Sequence, residues 1–135
     1  MNINTLLSEL EKLNLPKDKF AITSSGPMGI RNIREINDLD IIVYPNLWQD
    51  LSTKYKVIKE NDLESIYIGN IQILGNGSLY TNPKFGDVIS QINNADIIDQ
   101  YRYIKLNTIL EVKKLMSRPK DINDVKLIEE YLKQK

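Results

Sequence analysis

Two carboxylates that stand one residue apart, Asp38 and Asp40, are the residues best suited to chemistry in this chain. They open an apolar run, and a turn of small residues, 23–26, lies upstream of them. If the run is a strand, both side chains point to the same face. Adjacent carboxylates repel each other unless a cation lies between them, and Mg²⁺ is commonly held by one or two carboxylates together with substrate phosphates. The spacing therefore indicates metal-assisted chemistry on a nucleotide.

The elements that must position these residues follow from the flanking sequence. Residues 20–23 predict a short buried strand that leads into the turn Ser24-Ser25-Gly26, and Pro27 favours a brief helix directly after it. A strand, a turn of small residues and a helix N-terminus together form an arrangement that binds anions. Residues 38–44 predict a second strand, which Pro45 ends.

The rest of the chain predicts a mixture of helices and strands. Helices are expected over 4–13, 46–55 and 87–94, extended segments over 56–59, 65–68 and 70–74, and a further short strand within 95–103. Two helices end the chain, with apolar faces formed by Leu106, Ile109, Leu110 and Leu115 in the first and by Ile122, Val125, Ile128 and Leu132 in the second. We therefore expect an α+β fold in a single domain, 1–135, with a twisted mixed β-sheet and helices packed mainly on one face.

Composition restricts the chemistry that these elements can support. The chain has no cysteine, which excludes disulfides, thiolate nucleophiles and Cys-type zinc sites, and it has no histidine, the commonest general base. Catalysis would therefore depend on carboxylates, hydroxyls, lysines or a metal. No apolar run approaches the length of a membrane span, and the first residues lack the pattern of a signal peptide. We therefore expect no membrane association and a cytoplasmic location.

Charge is balanced over the whole chain but not along it. Lys plus Arg and Asp plus Glu are 18 each, so no global field attracts a nucleic acid. Between residues 101 and 120 the one acid, Glu111, stands among six cations, which are Arg102, Lys105, Lys113, Lys114, Arg118 and Lys120. This basic stretch could face a phosphate-rich ligand, or it could be a solvated helix face.

The front motif resembles the signature of the polymerase-beta-like nucleotidyltransferase superfamily. The resemblance rests on the Ser-Ser turn, the separation by residues 26–37, and Asp38-Leu39-Asp40-Ile41. It implies a minimal nucleotidyltransferase fold in which Asp38 and Asp40 are catalytic and hold Mg²⁺ or Mn²⁺. It also implies contacts with the phosphates of a nucleoside triphosphate. For these contacts the candidates are Ser24, Ser25, Gly26 and Arg31.

A second stretch, 114–124, is similar to the Lys…Arg-x-Lys-Asp-x-x-Asp segment of small bacterial and phage nucleotidyltransferase-like proteins, and similar stretches occur in type IV toxins of the abortive-infection kind. It adds Lys114, Arg118 and Lys120 as candidates for nucleotide contact. With it, the likeness extends over residues 19–132. Helix capping offers an alternative, because Asp121 is a good N-cap and Asp124 would lie near the positive end of the helix dipole.

Two positions depart from the superfamily pattern. Ser24 stands where the turn usually has glycine. More seriously, active members generally supply a third carboxylate from a later strand, and the matching strand here carries Gln72. An amide is neutral and coordinates Mg²⁺ poorly. Glu64 could supply this third carboxylate only if the hairpin places its side chain close to Asp38 and Asp40.

Three hypotheses remain open at this point. The chain could be a nucleotidyltransferase that moves a nucleoside monophosphate to a small molecule, a protein or an RNA end. It could bind a nucleotide or a phosphorylated metabolite without transfer, as Gln72 suggests. It could also be an interaction module of a toxin–antitoxin or defence pair.

The candidate residues also have structural alternatives. Asp38 and Asp40 could instead face water or pair with Arg31 and Arg34, and Ser24 and Ser25 could be ordinary turn residues. Without a separate acceptor domain the cleft would be shallow, so a homodimer could be needed to complete it.

Overall fold

The structure is a computed structural model that describes residues 2–134. The helices are α1 (Ile3–Glu11), α2 (Gly26–Ile30), α3 (Pro45–Lys54), α4 (Val88–Asn93), α5 (Leu106–Met116) and α6 (Pro119–Lys133). The strands are β1 (Phe20–Thr23), β2 (Leu39–Val43), β3 (Ile58–Glu60), β4 (Leu63–Ile68), β5 (Ile71–Leu74), β6 (Asp96–Ile98) and β7 (Tyr101–Tyr103). Two 3₁₀ turns, Leu79–Thr81 and Pro83–Phe85, lie between β5 and α4.

The strands form one mixed sheet in the order β3-β4-β5-β2-β1-β7-β6. β2 pairs with β5, and β1 with β7, in parallel, while the other pairs are antiparallel. The predicted α+β class and mixed sheet are therefore confirmed. β1 and β2 are adjacent at the centre, so the sheet brings the end of β1 beside the start of β2.

Helices cover both faces of the sheet, whereas the sequence predicted that they would lie mainly on one. On one face, alternate residues of β1 and β2 such as Phe20 and Ile41 pack in a cluster with Leu6 of α1 and Leu47 of α3. On the other face, the intervening residues belong to a second cluster with α4, α5 and α6. Its strand and helix members include Ala21, Ile42, Ile92, Ile109, Val112 and Ile128. The central strands are apolar on both faces, and each face therefore needs a cover.

The two terminal helices are present, but their buried faces differ from the predicted ones. In α5, Leu106 and Ile109 are buried as expected, whereas Leu115 is exposed and Lys113 is buried in its place. In α6, Ile128 is buried, whereas Ile122 is exposed. The remaining buried positions of α6 are Asp121 and Asp124. The contact between the two helices near their connection is therefore ionic rather than apolar.

Residues 95–103 form a hairpin of two strands where the sequence predicted one. β6 and β7 pair antiparallel, with Ile98 opposite Tyr101. The two connecting residues, Asp99 and Gln100, have φ of 48° and 79°. Positive φ at both central residues is typical of the tight hairpin turn that matches the twist of the strands.

Candidate functional site

A cavity of about 540 Å³ lies on the face of the sheet that α5 and α6 cover. It is lined by Ser24, Ser25, Arg34, Asn37, Asp38, Asp40, Leu63, Gln72, Leu74, Gly77, Ser78, Leu79, Tyr80, Val112, Lys113, Met116, Arg118, Lys120 and Asp124. The front turn, the acid pair and the rear basic stretch thus meet around one space. Its volume is within the usual range for a small-molecule site.

The turn after β1 is held in a specific conformation. Ser24 has φ of 56°, in the left-handed region, and its backbone N–H donates to the Tyr80 hydroxyl at 3.3 Å. Tyr80 is almost fully buried, and burial raises the pKa of its phenol, so the hydroxyl stays neutral at physiological pH. Sequence reasoning did not identify Tyr80, because it lies far along the chain in a 3₁₀ turn and belongs to no motif.

Gly26 and Arg31, both predicted to contact phosphate, lie outside the cavity lining. A Cβ atom on Gly26 would lie 2.2 Å from Ile22 Cγ2, so this glycine allows α2 to pack closely on β1. The Arg31 guanidinium donates to the Pro27 carbonyl at 2.9 Å and pairs with Asp96 at 3.0 Å. Arg31 therefore links α2 to the start of β6 and does not line the cavity.

The two acids lie where the strand prediction put them. Asp40 is the second residue of β2 and pairs with Thr23 of β1, while the exposed Asp38 directly precedes the strand. Asp40 Oδ1 is buried and has no hydrogen-bond partner among residues 2–134. Burial, followed by the charge of Asp38, raises the pKa of Asp40 to about 6. A cation between the two carboxylates would relieve both effects.

The donors present suit Mg²⁺ only when a ligand supplies further oxygens. Within residues 2–134 no group of three or more Asp, Glu, His or Cys side chains is arranged to hold a metal. The pair Asp38 and Asp40 supplies hard oxygen donors, and Asp40 Oδ1 is an unused one. Mg²⁺ is typically bound by one or two carboxylates together with phosphates and water. The residues present therefore fit such a cation only if a bound ligand supplies the remaining oxygens.

Gln72 occupies the place beside Asp40. The two residues are Cα partners in the parallel β2–β5 pair. The Gln72 amide Nε2 donates to the Ser65 hydroxyl and to the Tyr67 hydroxyl, both at 3.0 Å. Glu64 alternates with Ser65 along β4 and so points to the opposite face, where it accepts from Asn76 at 2.9 Å. Glu64 therefore does not supply a third carboxylate to the cavity.

The basic side of the cavity is built on two buried carboxylates. Asp124 accepts from Arg34 at 2.7 and 2.9 Å and pairs with the buried Lys113 at 2.9 Å. Asp121 is bound by Arg118 at 2.5 Å. Burial alone would raise the pKa of both acids, but hydrogen bonds from the neighbouring cations outweigh it and hold each pKa below its usual value. These pairs fix Lys113, Arg34 and Arg118 around the cavity.

Lys114 does not line the cavity. Its ammonium lies 3.9 Å from Glu111 and 3.8 Å from Glu129, on the outer side of α5. Lys113 lines the cavity instead. A signal for Lys113 was present, because Ile109 and Lys113 are four residues apart and therefore lie on the same helix face.

The start of α6 also differs from the predicted capping. The N-cap position is Arg118, and Asp121 is the third helical residue, where it accepts the Arg118 backbone N–H at 3.1 Å. Arg34 pairs with Asp124 and Arg31 with Asp96, so the alternative in which these arginines pair with Asp38 or Asp40 does not hold. Arg118 and Lys120 both line the cavity, and their contact with a nucleotide stays a prediction.

Comparisons with protein-family models, with curated proteins and with solved structures give no match to this chain. The site must therefore be interpreted from its own geometry. Over residues 2–134, no helix combines the length and the apolar character that crossing a membrane requires.

Proposed function

We propose that this chain is a metal-dependent nucleotidyltransferase of the polymerase-beta-like kind, which moves a nucleoside monophosphate from a nucleoside triphosphate to an acceptor. The observation that carries the proposal is the single cavity that the Ser24-Ser25 turn, the pair Asp38 and Asp40, and the cations Arg118 and Lys120 share. These groups come from opposite ends of the sequence. The acceptor remains a small molecule, a protein or an RNA end, and we include a cytoplasmic location and a homodimer in the proposal.

The charges around the cavity favour a metal–nucleotide complex over a free phosphate. Four cations, Arg34, Lys113, Arg118 and Lys120, lie with four carboxylates, Asp38, Asp40, Asp121 and Asp124. A bare triphosphate would leave this balanced cluster with an excess of negative charge. Bound Mg²⁺ would neutralise that excess and stabilise the attacking and leaving oxygens of a phosphoryl transfer.

The chain's own residues have separate roles in this proposal. Asp38 and Asp40 would hold the metal from the strand side of the cavity. Lys120 lines the cavity and forms no ion pair among residues 2–134, so it can pair with a phosphate. Ser25 lies at the N-terminus of the short helix α2 and faces the same space. Positioning and charge neutralisation account for most of the catalysis in phosphoryl transfer, so these few groups suffice.

Gln72 favours a second candidate function, which is binding of the same metal–nucleotide complex without transfer. It lies in register with Asp40, and a neutral amide cannot take the proton of an acceptor hydroxyl. Both functions use the same binding site. They differ only in whether an acceptor is activated.

A thermal-shift titration separates the site from its alternatives. Each nucleoside triphosphate is added with and without Mg²⁺ to the wild type, to Asp40→Asn and to the control Asp50→Asn, which changes an exposed acid on α3. A ligand that binds only the folded state raises the midpoint of unfolding. We expect a Mg²⁺-dependent rise in the wild type and the control, and none in Asp40→Asn.

Transfer is then tested with a nucleotide labelled at the α-phosphate and candidate acceptors. Label transferred by the wild type and not by Asp40→Asn supports the transferase, and binding without any transfer supports the second function. If no nucleotide raises the midpoint of any of the three proteins, the metal–nucleotide site is refuted.

A further inference from the structure

A row of four polar side chains crosses the sheet at the level of Asp40. Thr23 of β1 is the Cα partner of Asp40 of β2, Asp40 that of Gln72 of β5, and Gln72 that of Tyr67 of β4. Directly paired residues point to the same face, and neighbouring strands are about 4.8 Å apart. The hydroxyl of Tyr67 therefore lies on the cavity face, with one side chain between it and Asp40.

Tyr67 is an exposed side chain whose hydroxyl is nevertheless held in place. The residue is 52% exposed, and its oxygen accepts the Gln72 Nε2–H at 3.0 Å. The same nitrogen donates to the buried Ser65, so the Gln72 amide is fixed from two sides. Gln72 itself lines the cavity next to Asp40. Tyr67 does not itself line the cavity, but its phenolic hydroxyl lies 3.0 Å from the amide nitrogen of Gln72, which does.

We propose that Tyr67 is an acceptor of the nucleotide, so that the chain nucleotidylates its own phenolic hydroxyl. The inference rests on the transferase activity proposed above and names its acceptor. The Tyr67 oxygen forms a bond to the α-phosphorus of a nucleoside triphosphate. The bond from that phosphorus to the oxygen bridging the β-phosphate breaks, pyrophosphate leaves with the electron pair, and the phenolic proton passes to water.

Proximity explains how this transfer proceeds beside an amide. Gln72 is no base, so a freely diffusing acceptor would lack activation at this position. A hydroxyl attached to the same sheet is present at high effective concentration, which compensates for a missing catalytic group. The hydrogen bond from Gln72 restricts the phenol to the cavity side. The amide at position 72 disfavours a freely diffusing acceptor, but it suits an acceptor that belongs to the chain itself.

The test uses the purified full chain with Mg²⁺ and α-labelled nucleoside triphosphate, without added acceptor, and is read by intact mass and peptide mapping. We expect one nucleoside monophosphate per chain, on Tyr67. Tyr67→Phe should lose the label. The control Tyr44→Phe changes a tyrosine whose hydroxyl is bonded to Asn93, a residue that does not line the cavity, and it should keep the label. Over a range of protein concentration in which the oligomeric state is constant, the labelled fraction at a given time should not change, because the transfer occurs within one chain.

The thermal shift caused by Mg²⁺ and nucleotide, recorded on the same samples, separates the two proposals. Stabilisation without label would overturn the self-transfer and leave nucleotide binding intact. Label on another residue would overturn the role of Tyr67 and support the transferase. Tyr67→Phe should still be stabilised by the complex; if it is not, Tyr67 serves in binding and the acceptor role is refuted. Absence of both stabilisation and label would refute both proposals.

Discussion

Asp40 combines a buried unpartnered oxygen with a neighbouring carboxylate, and both features disfavour its charged form. Its pKa rises from the ordinary 3.8 to about 6 in the folded protein. Between these values the folded state keeps a proton that the unfolded state has lost. The contribution of Asp40 to stability is therefore fully present below about pH 4 and is lost as the pH rises through about 6.

This linkage predicts how Asp40→Asn affects the metal-free protein. At about pH 7, where the buried charge is most costly, the variant should be more stable than the wild type by about 3 kcal/mol, from about 1.4 kcal/mol per pKa unit. The difference should shrink toward about pH 4.5. Urea unfolding with a chelator at both pH values measures it. Equal stability of the two proteins at neutral pH would show that the surroundings of Asp40 do not disfavour its charged form.

Gln72→Glu restores a carboxylate beside Asp40. Because positions 40 and 72 are in register, the variant would place a potential base and metal ligand at the cavity. We expect transfer to an added acceptor to rise about 100-fold, which is a typical contribution of a general base. Without metal, the variant should be less stable than the wild type, since like charges then face each other.

The matched control is Gln49→Glu, which adds the same charge on an exposed position of α3. It should leave both the rate and the stability close to the wild type. If Gln72→Glu binds Mg²⁺ and nucleotide yet transfers no faster, the missing carboxylate is not what limits the chemistry.

The predicted site residues that share the cavity lining include three from one local segment. Asp38, Asp40 and Ser25 lie between the end of β1 and the start of β2, so their spacing and the resemblance that it carries were enough to place them together. Lys114 was predicted from the resemblance of the stretch 114–124, whereas the residue that lines the cavity is its neighbour Lys113. Neighbouring helix positions are about 100° apart around the axis, so which of the two faces the cavity depends on what packs against the helix. Here the partners are Asp121 and Asp124, and sequence spacing cannot give the position of α6 relative to α5.

At the scale of elements, the α5–α6 pair depends on its buried ion pairs. Lys113 is 6% exposed and Asp124 is 2% exposed, and the Arg34 guanidinium reaches Asp124 from the segment before β2. Removal of one partner from such a cluster leaves the other charges buried and uncompensated, which is far more damaging than loss of a surface pair. The network therefore also positions the segment that leads to Asp38.

Asp124→Ala should accordingly destabilise the fold by about 3–5 kcal/mol, because Lys113 and Arg34 lose their common partner. The control is Glu129→Ala, which removes an exposed partner of Lys114 and should cost less than about 1 kcal/mol. Urea unfolding of the two variants at neutral pH provides the comparison. Similar small losses in both would mean that the buried network adds little to the stability of the α5–α6 pair.

The elements themselves were predicted unevenly, for physical reasons. β1 and β2 are apolar and bounded by turn or proline residues, so their positions were evident. The β6–β7 hairpin was not recognised as two strands, because each strand has three residues and the turn contains no glycine. Helices cover both faces of the sheet, and this arrangement follows from the order of the strands in it. Sheet order depends on long-range pairing and leaves no local pattern in the sequence.

At the scale of the whole molecule, the cavity has an exposed apolar neighbour. Leu115, Met116 and Ile122 are 48%, 37% and 53% exposed near the connection between α5 and α6, and Met116 also lines the cavity. Exposed apolar side chains that lie close together beside a cavity are typical of an interaction surface. The proposed homodimer would cover them and would deepen the cleft.

We therefore expect light scattering at micromolar concentration to give the mass of a dimer, and Ile122→Lys to give that of a folded monomer. The unfolding midpoint of this variant should no longer depend on protein concentration, because no association stabilises its folded state. The matched control is Ile97→Lys, because Ile97 is 66% exposed on the edge strand β6 and lies outside the cavity lining. It should stay dimeric. If dimerisation completes the cleft, the monomeric variant should also bind Mg²⁺ and nucleotide more weakly. A monomeric wild type would show that one chain forms the whole site, and the apolar residues would then need another explanation.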